Sequence, residues 1–167
     1  MVCFLRRENR RSPEIGISST RAAHLPARVS ARLERTNKLR VKTSRRTELV
    51  NITAQVAKII AGSGVQEGVC QIYVPHTTAG VIINEGYDPD VVRDLETALD
   101  RLVPRDEGYL HAEGNSDSHV KVALVGTSQC VFVVSNRPVL GRWQAIFFCE
   151  FDGPREREVL VRVSRDS

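Results

Sequence analysis

The polar run His111-Ala-Glu-Gly-Asn-Ser-Asp-Ser-His119 places two of the chain's four histidines eight positions apart. A third, His76, sits in Pro75-His76-Thr77-Thr78, directly after an apolar run, and Glu85 is the first carboxylate that follows it. Imidazole can bind a divalent ion through a ring nitrogen, or carry a proton near neutral pH. His76, His111 and His119 with a carboxylate or water would therefore make a metal shell, and three imidazoles suit Zn²⁺ better than Mg²⁺. The spacing matches neither H-E-x-x-H nor an EF-hand loop. For His76 alone, a structural histidine with satisfied hydrogen bonds is the competing reading.

Other chemistries have less support. The sequence contains no G-x-x-x-x-G-K-[ST] loop, no G-x-G-x-x-G and no G-x-S-x-G. Its four cysteines show no C-x-x-C spacing, and Cys70, Cys130 and Cys149 each lie in an apolar, strand-like run where a thiolate is disfavoured. They read as buried free thiols in a reducing, cytoplasmic setting. Arg137 and Arg142 flank a turn and are candidate phosphate contacts.

The charge is unevenly spread. Residues 1–36 hold eight Arg and three Glu, whereas the rest of the chain, with 16 basic and 17 acidic residues, is close to neutral. The net +4 thus belongs to the N-terminal stretch, which has no sustained periodicity and reads as a basic, disordered extension. Nucleic acid is not expected as a partner, because the folded part lacks a basic face and aromatics are only 5%. No apolar run approaches the ~20 residues needed to cross a bilayer, so no membrane is expected either.

The elements that must position these side chains follow from periodicity. Lys38–Thr43 alternates as a strand, and Glu48–Thr53 leads into a helix carrying Val56, Ile59 and Ile60 that ends at Gly62-Ser-Gly64. Gly68–Val74 and Ala79–Asn84 read as strands on either side of His76. Asp88 and Pro89 then start a helix whose apolar stripe is Val91, Val92, Leu95, Ala98, Leu99, Leu102 and Val103, with Asp90, Arg93, Glu96, Asp100 and Arg101 facing water. Pro104 stops it. A short helix is expected from Ser116 to Gly126, so His119 would lie on a first turn whose free N–H groups favour an anion. Gln129–Ser135 reads as a strand, Asn136–Arg142 as a hairpin connection, and Trp143–Phe151 as a central strand covered on both faces. Val159–Val163 closes the series. The order implies one α+β domain over 37–167, with a mostly antiparallel, sandwich-like sheet core and two to three helices.

Several motifs then fall in a consistent order: His76-Thr77-Thr78-Ala79, Asn84-Glu85, Leu102-Val103-Pro104, Glu113-Gly114-Asn115, Ser118-His119, Gly141-Arg142-Trp143-Gln144 and Glu150-Phe151-Asp152-Gly153-Pro154-Arg155. Together, across residues 38–165, they resemble the YjbQ family, the secondary thiamine-phosphate synthases. The resemblance implies a compact α+β fold, a homotrimer, and a histidine site that often holds a divalent metal ion, zinc or magnesium. It implies the joining of an aminopyrimidine diphosphate to a thiazole phosphate with release of pyrophosphate, so the partner would be a phosphorylated small molecule. By matching position, His76, Glu85, His111 and His119 would be catalytic, with His76, His111 and His119 as metal ligands. Thr77, Thr78, Asn115, Arg142, Trp143 and Gln144 would line the substrate. Arg142 departs from the small threonine usual at that place and puts a cation on that wall. The residues also accommodate a metal-dependent hydrolase or other small-molecule enzyme on the same site, or a non-catalytic trimeric binding module.

Overall fold

In the computed structural model the described residues are 36–166, and the basic stretch expected to be disordered lies, up to residue 35, outside them. Eight strands and three helices follow one another in this region: β1 (Asn37–Lys42), β2 (Glu48–Asn51), α1 (Thr53–Ser63), β3 (Glu67–Tyr73), β4 (Ala79–Glu85), α2 (Pro89–Leu102), α3 (Ser116–Val125), β5 (Ser128–Val134), β6 (Arg137–Pro138), β7 (Gln144–Glu150) and β8 (Glu156–Arg165). They form two antiparallel sheets, one of five strands in the order β1-β8-β3-β5-β6 and one of three in the order β2-β7-β4.

Strand β7 shows why the sheets stack as they do. Its residues are buried from Ala145 to Glu150. Because side chains alternate across a strand, Ile146 and Phe148 enter the core shared with Val56, Ile60, Ile72, Val81, Val131 and Val161. Ala145, Phe147 and Cys149 enter a second core with Leu49 and Val122, against which Leu95 and Leu99 of α2 pack. The central, doubly covered strand read from the sequence is present, with the five-stranded sheet on one side and α2 and α3 on the other.

Three expectations need correcting. The lead-in to α1 contains β2, which pairs with β7 from Glu48↔Glu150 to Asn51↔Phe147; four residues are too few for alternation to reveal them. The segment after β5 is no hairpin to β7. Ser135 and Asn136, both at positive φ (52° and 60°), form a tight turn into the two-residue β6, and β7 belongs to the other sheet. On α2, Val92, Leu95 and Leu99 pack inward, whereas Leu102 is exposed and Glu96, expected in water, is only 12% exposed at its side chain. Its carboxylate accepts two bonds from the Arg45 guanidinium at 3.0 Å each and one from the Leu49 N–H. This fixes the helix to the β1–β2 connection.

The cap expected at Asp88 and the stop expected at Gly64 hold, whereas the N-cap of α3, Asn115, makes no side-chain capping bond. Asp88 accepts from the Asp90 N–H at 2.9 Å with Pro89 in the first turn, and Gly64 closes α1 in the left-handed conformation at φ 69°. Gly80 is required for another reason. A Cβ there would meet the Gly126 carbonyl oxygen and the Val125 side chain, so its absence lets the end of α3 lie directly on β4, where the Val81 N–H bonds to that same carbonyl.

Candidate functional site

The histidines are assembled by a turn and a helix start. The Gly114 N–H donates to the His111 carbonyl at 3.3 Å, and Gly114 takes φ 68°, a conformation that favours glycine. The Asn115 carbonyl then accepts from the N–H groups of Ser118 and His119, opening α3. This sharp reversal sets the rings of His111 and His119 edge to face, with centroids 5.4 Å apart. His119 also shares a groove of about 610 Å³ with His76, Thr77 and Tyr73. On the other side of the pair, a smaller recess of about 290 Å³ is lined by Arg105, Tyr109, His111 and Ser116.

His76 is half-buried, and its Nε2 accepts a hydrogen bond from the Glu158 N–H at 3.1 Å. Burial, and then the nearby Arg157 guanidinium, hold its pKa below the ordinary histidine value. The neutral ring therefore carries its proton on Nδ1, which can act as a hydrogen-bond donor. His111 Nε2 lies 3.7 Å from the Glu113 carboxylate, but both side chains are well exposed, so this pair contributes little.

Beneath the histidines lie two buried ionic clusters that the sequence reading did not single out. In one, Lys121, 2% exposed, donates to Asp117 at 3.1 Å and Asp100 at 2.7 Å. Asp117, 1% exposed, also accepts from Arg46, which bonds Asp152 in turn. Asp117 sits in the first turn of α3, so the protein's own carboxylate complements the helix dipole there. The anion expected at this helix start is thus supplied internally. In the second cluster, the Arg157 guanidinium grips both oxygens of fully buried Glu150 at 2.6 and 2.7 Å and donates to the Thr78 hydroxyl at 2.9 Å. Their only sequence signal is a charge embedded in an apolar alternation, as at Glu150 and Lys121.

Thr78 is turned inward to Arg157, and Asn115 is 9% exposed with its Nδ2 donating to Asp152 at 3.1 Å. The buried Asn115 Oδ1 has no hydrogen-bond partner among the described residues. Thr77 is exposed beside His76. Cys70 and Cys149 are buried, and burial pushes their thiols up to about 12, so neither is a nucleophile. Cys130, expected to be buried, is exposed on the outer face of β5 because its register places Val131 and Val133 inward.

The remaining predicted residues lie elsewhere. Strands β4 and β7 pair from Ala79↔Glu150 to Glu85↔Gln144, a run of six residue steps, or about 20 Å at the usual strand rise. The histidines occupy the Ala79 end. Glu85, Arg142, Trp143 and Gln144 occupy the opposite end, where Trp143 packs edge-on against Tyr87 at 4.8 Å and Arg142 stacks over the indole at 4.8 Å. The Gln144 Oε1 accepts from the Gly141 N–H and shapes the turn there. For a metal ion, one protomer offers the His111–His119 pair, whereas His76, expected as a third ligand, has its Nε2 lone pair engaged by the Glu158 N–H and its proton on Nδ1. Among the described residues no three His, Cys, Asp or Glu side chains are grouped closely enough to hold an ion. No helix among them is long and apolar enough to cross a membrane.

Comparison with known proteins gives a consistent result. The family described as UPF0047 protein YjbQ-like matches residues 37–166. A UPF0047 protein of Methanocaldococcus jannaschii is 49% identical over 129 residues, covering 77% of this chain and 94% of the relative. The crystal structure of an uncharacterized conserved protein of the same family from Clostridium acetobutylicum superposes with a TM-score of 0.75 at 44% identity, over 77% of this chain and 99% of that one. A YbjQ-like protein of unknown function from Sulfolobus solfataricus gives 0.76 at 32% identity, over 78% and 96%.

Proposed function

The chain belongs to the YjbQ-like UPF0047 family, and from that premise we propose that it is a thiamine-phosphate synthase-type transferase working as a homotrimer on phosphorylated small molecules. In this reaction the thiazole nitrogen attacks the pyrimidine methylene carbon. A C–N bond forms as the C–O bond breaks, and pyrophosphate leaves with the bonding electrons. The chemistry needs a place that orients two rings and neutralises a departing diphosphate.

The observation that carries the reading is the His111–His119 pair, set at 5.4 Å between two recesses. The smaller recess places Arg105 and His111 together and suits a phosphate. The larger, with Tyr73, Pro75, His76 and Val122, suits a heteroaromatic ring. A divalent ion, zinc or magnesium, would be held by His111 and His119 and would supply charge neutralisation for the diphosphate, with the His76 Nδ1–H as a hydrogen-bond donor to the substrate.

The direct test measures thiamine phosphate formed by purified protein from the two precursors. His111→Ala and His119→Ala should abolish it, and unchanged turnover in both would sink the reading. A second reading, a metal-dependent hydrolase of phosphate esters on the same recesses, is favoured by one observation. Lys121, buried, and Arg46, half-buried, are already committed to Asp117 and Asp152. Release of inorganic phosphate from an ester panel, with no thiamine phosphate formed, would select it. Binding of substrate without turnover would instead mark a non-catalytic module.

A further inference from the structure

We infer that residues 32–36 prolong β1 along the uncovered half of β8 and fill the groove between that strand and the end of α1. β8 has 10 residues, and β1 pairs with it only from Lys42↔Glu156 to Asn37↔Val161. Its other neighbour, β3, continues to Gly68↔Arg165. Over 162–165, therefore, β8 is paired on one side only among the described residues. Just past β1 the Thr43 N–H donates to the Arg155 carbonyl, so odd-numbered positions carry the β1–β8 ladder bonds. Val163 and Arg165 thus turn their N–H and C=O groups to the open edge. Beside it runs a groove of about 1150 Å³ lined by Asn37, Lys58, Ile59, Gly62, Val65 and Val163.

The occupant follows from where the chain leads. It enters β1 at Asn37, which itself lines the groove, so the residues just upstream are tethered to the edge with no loop to close. The β1–β8 register, carried upstream, sets Thr36 against Arg162, Arg35 against Val163, Glu34 against Ser164, Leu33 against Arg165 and Arg32 against Asp166. Leu39 and Val41 face the core, so alternation turns Leu33 and Arg35 the same way, into the groove. Leu33 then meets Ile59 and Val65. Arg35 comes to Gly62 and Ser63 in the last turn of α1, which holds no basic residue of its own and favours a cation. Lys58, the like charge nearby, is exposed, so water screens it.

The outer face matches too. Arg32 stands opposite Asp166, and Glu34 is diagonal to Arg162. Neither Arg162 nor Asp166 is in an ion pair among the described residues. Exposed pairs add little stability, but a slip of one residue would put Leu33 in water and Glu34 in the groove, so the pattern fixes the register. An unpaired edge is a template for other chains. The end of the basic stretch blunts it.

Disulfide trapping in the full-length chain tests this. In a Cys3→Ser, Cys130→Ser background the remaining Cys70 and Cys149 are buried, with thiols raised to about 12. Glu34→Cys is combined with Ser164→Cys, a pair between ladder bonds where side chains lie closest. The control combines Arg35→Cys with Ser164→Cys, which the register turns to opposite faces. Mild oxidation should close a disulfide within one chain in the first variant and at least about tenfold less in the control. A disulfide-linked dimer would assign the edge to a second copy, equal yields would mean no fixed register, and no disulfide would leave the edge to a separate peptide. Each of these overturns the inference. Where the cysteines disturb the fold, hydrogen exchange decides. Arg35→Pro removes a ladder N–H and should speed exchange at Val163 and Arg165 about tenfold with β7 unchanged, and unaltered exchange there overturns the inference.

Discussion

The two ends of the β4–β7 pair differ in how they hold their polar groups. At the Ala79 end, Glu150, Arg157, Asp117 and Lys121 are buried and answered by opposite charges at 2.6–3.1 Å. At the Glu85 end, Arg142, Trp143 and Tyr87 are exposed and held only by stacking. A buried ion pair adds little net stability over an apolar core but is costly to break, so the first end is a rigid frame under His76 and His119. The second is cheap to alter in the protomer, and its worth is decided by what it touches. A buried ionic frame and an exposed aromatic surface are thus separated along one pair of strands.

Breaking the frame should have the largest effect. Glu150→Ala leaves the Arg157 guanidinium buried beside Thr78 with no counter-charge, and should cost about 3–5 kcal/mol in urea unfolding. A loss below 1 kcal/mol would show that the frame is not rigid. Next, His119→Ala should reduce thiamine-phosphate formation by about a hundredfold or more while the unfolding midpoint moves little, because the ring is only half-buried. Equal losses of activity and stability would place His119 in the frame instead.

The third prediction concerns pH. Folding favours neutral His76, since burial and Arg157 lower its pKa. The stability this contributes is full above about pH 6.5, the unfolded value, and is lost as pH falls from there through the folded pKa. NMR titration should find the His76 midpoint below 6.5, and His76→Gln should flatten the stability profile in that window. A midpoint above 6.5 would refute the assignment. The smallest effect is expected from Trp143→Ala. In the protomer it should cost no more than about 1 kcal/mol, the scale of one exposed aromatic and cation–π contact. The same variant should weaken self-association in sedimentation experiments, which sharpens the contrast between the ends.

Much of the fold was legible because it is local. Capping by Asp88, the stop at Gly64 and the start of α3 near Ser116 depend on residues within a turn of one another. The alternation of Trp143–Phe151 likewise announced a strand covered on both faces. What was illegible is non-local. Strand β2 is visible only through its pairing with β7, about a hundred residues later, and the exposure of Cys130 depends on which face of β5 meets the core.

The candidate site divides in the same way. By itself the sequence determined which residues are candidates for the chemistry, because imidazoles, carboxylates and a Gly114 turn between His111 and Asn115 are properties of type and spacing. Only the tertiary structure decided which of them meet. The register of β4 on β7 carries Glu85 away from His76, and the α3 turn brings His111 onto His119. It also revealed Lys121, Asp117 and Arg157 as buried partners and Arg105 as the cation beside His111. Burial and pairing arise from contacts between segments far apart in the chain, so no local pattern of residues contains them.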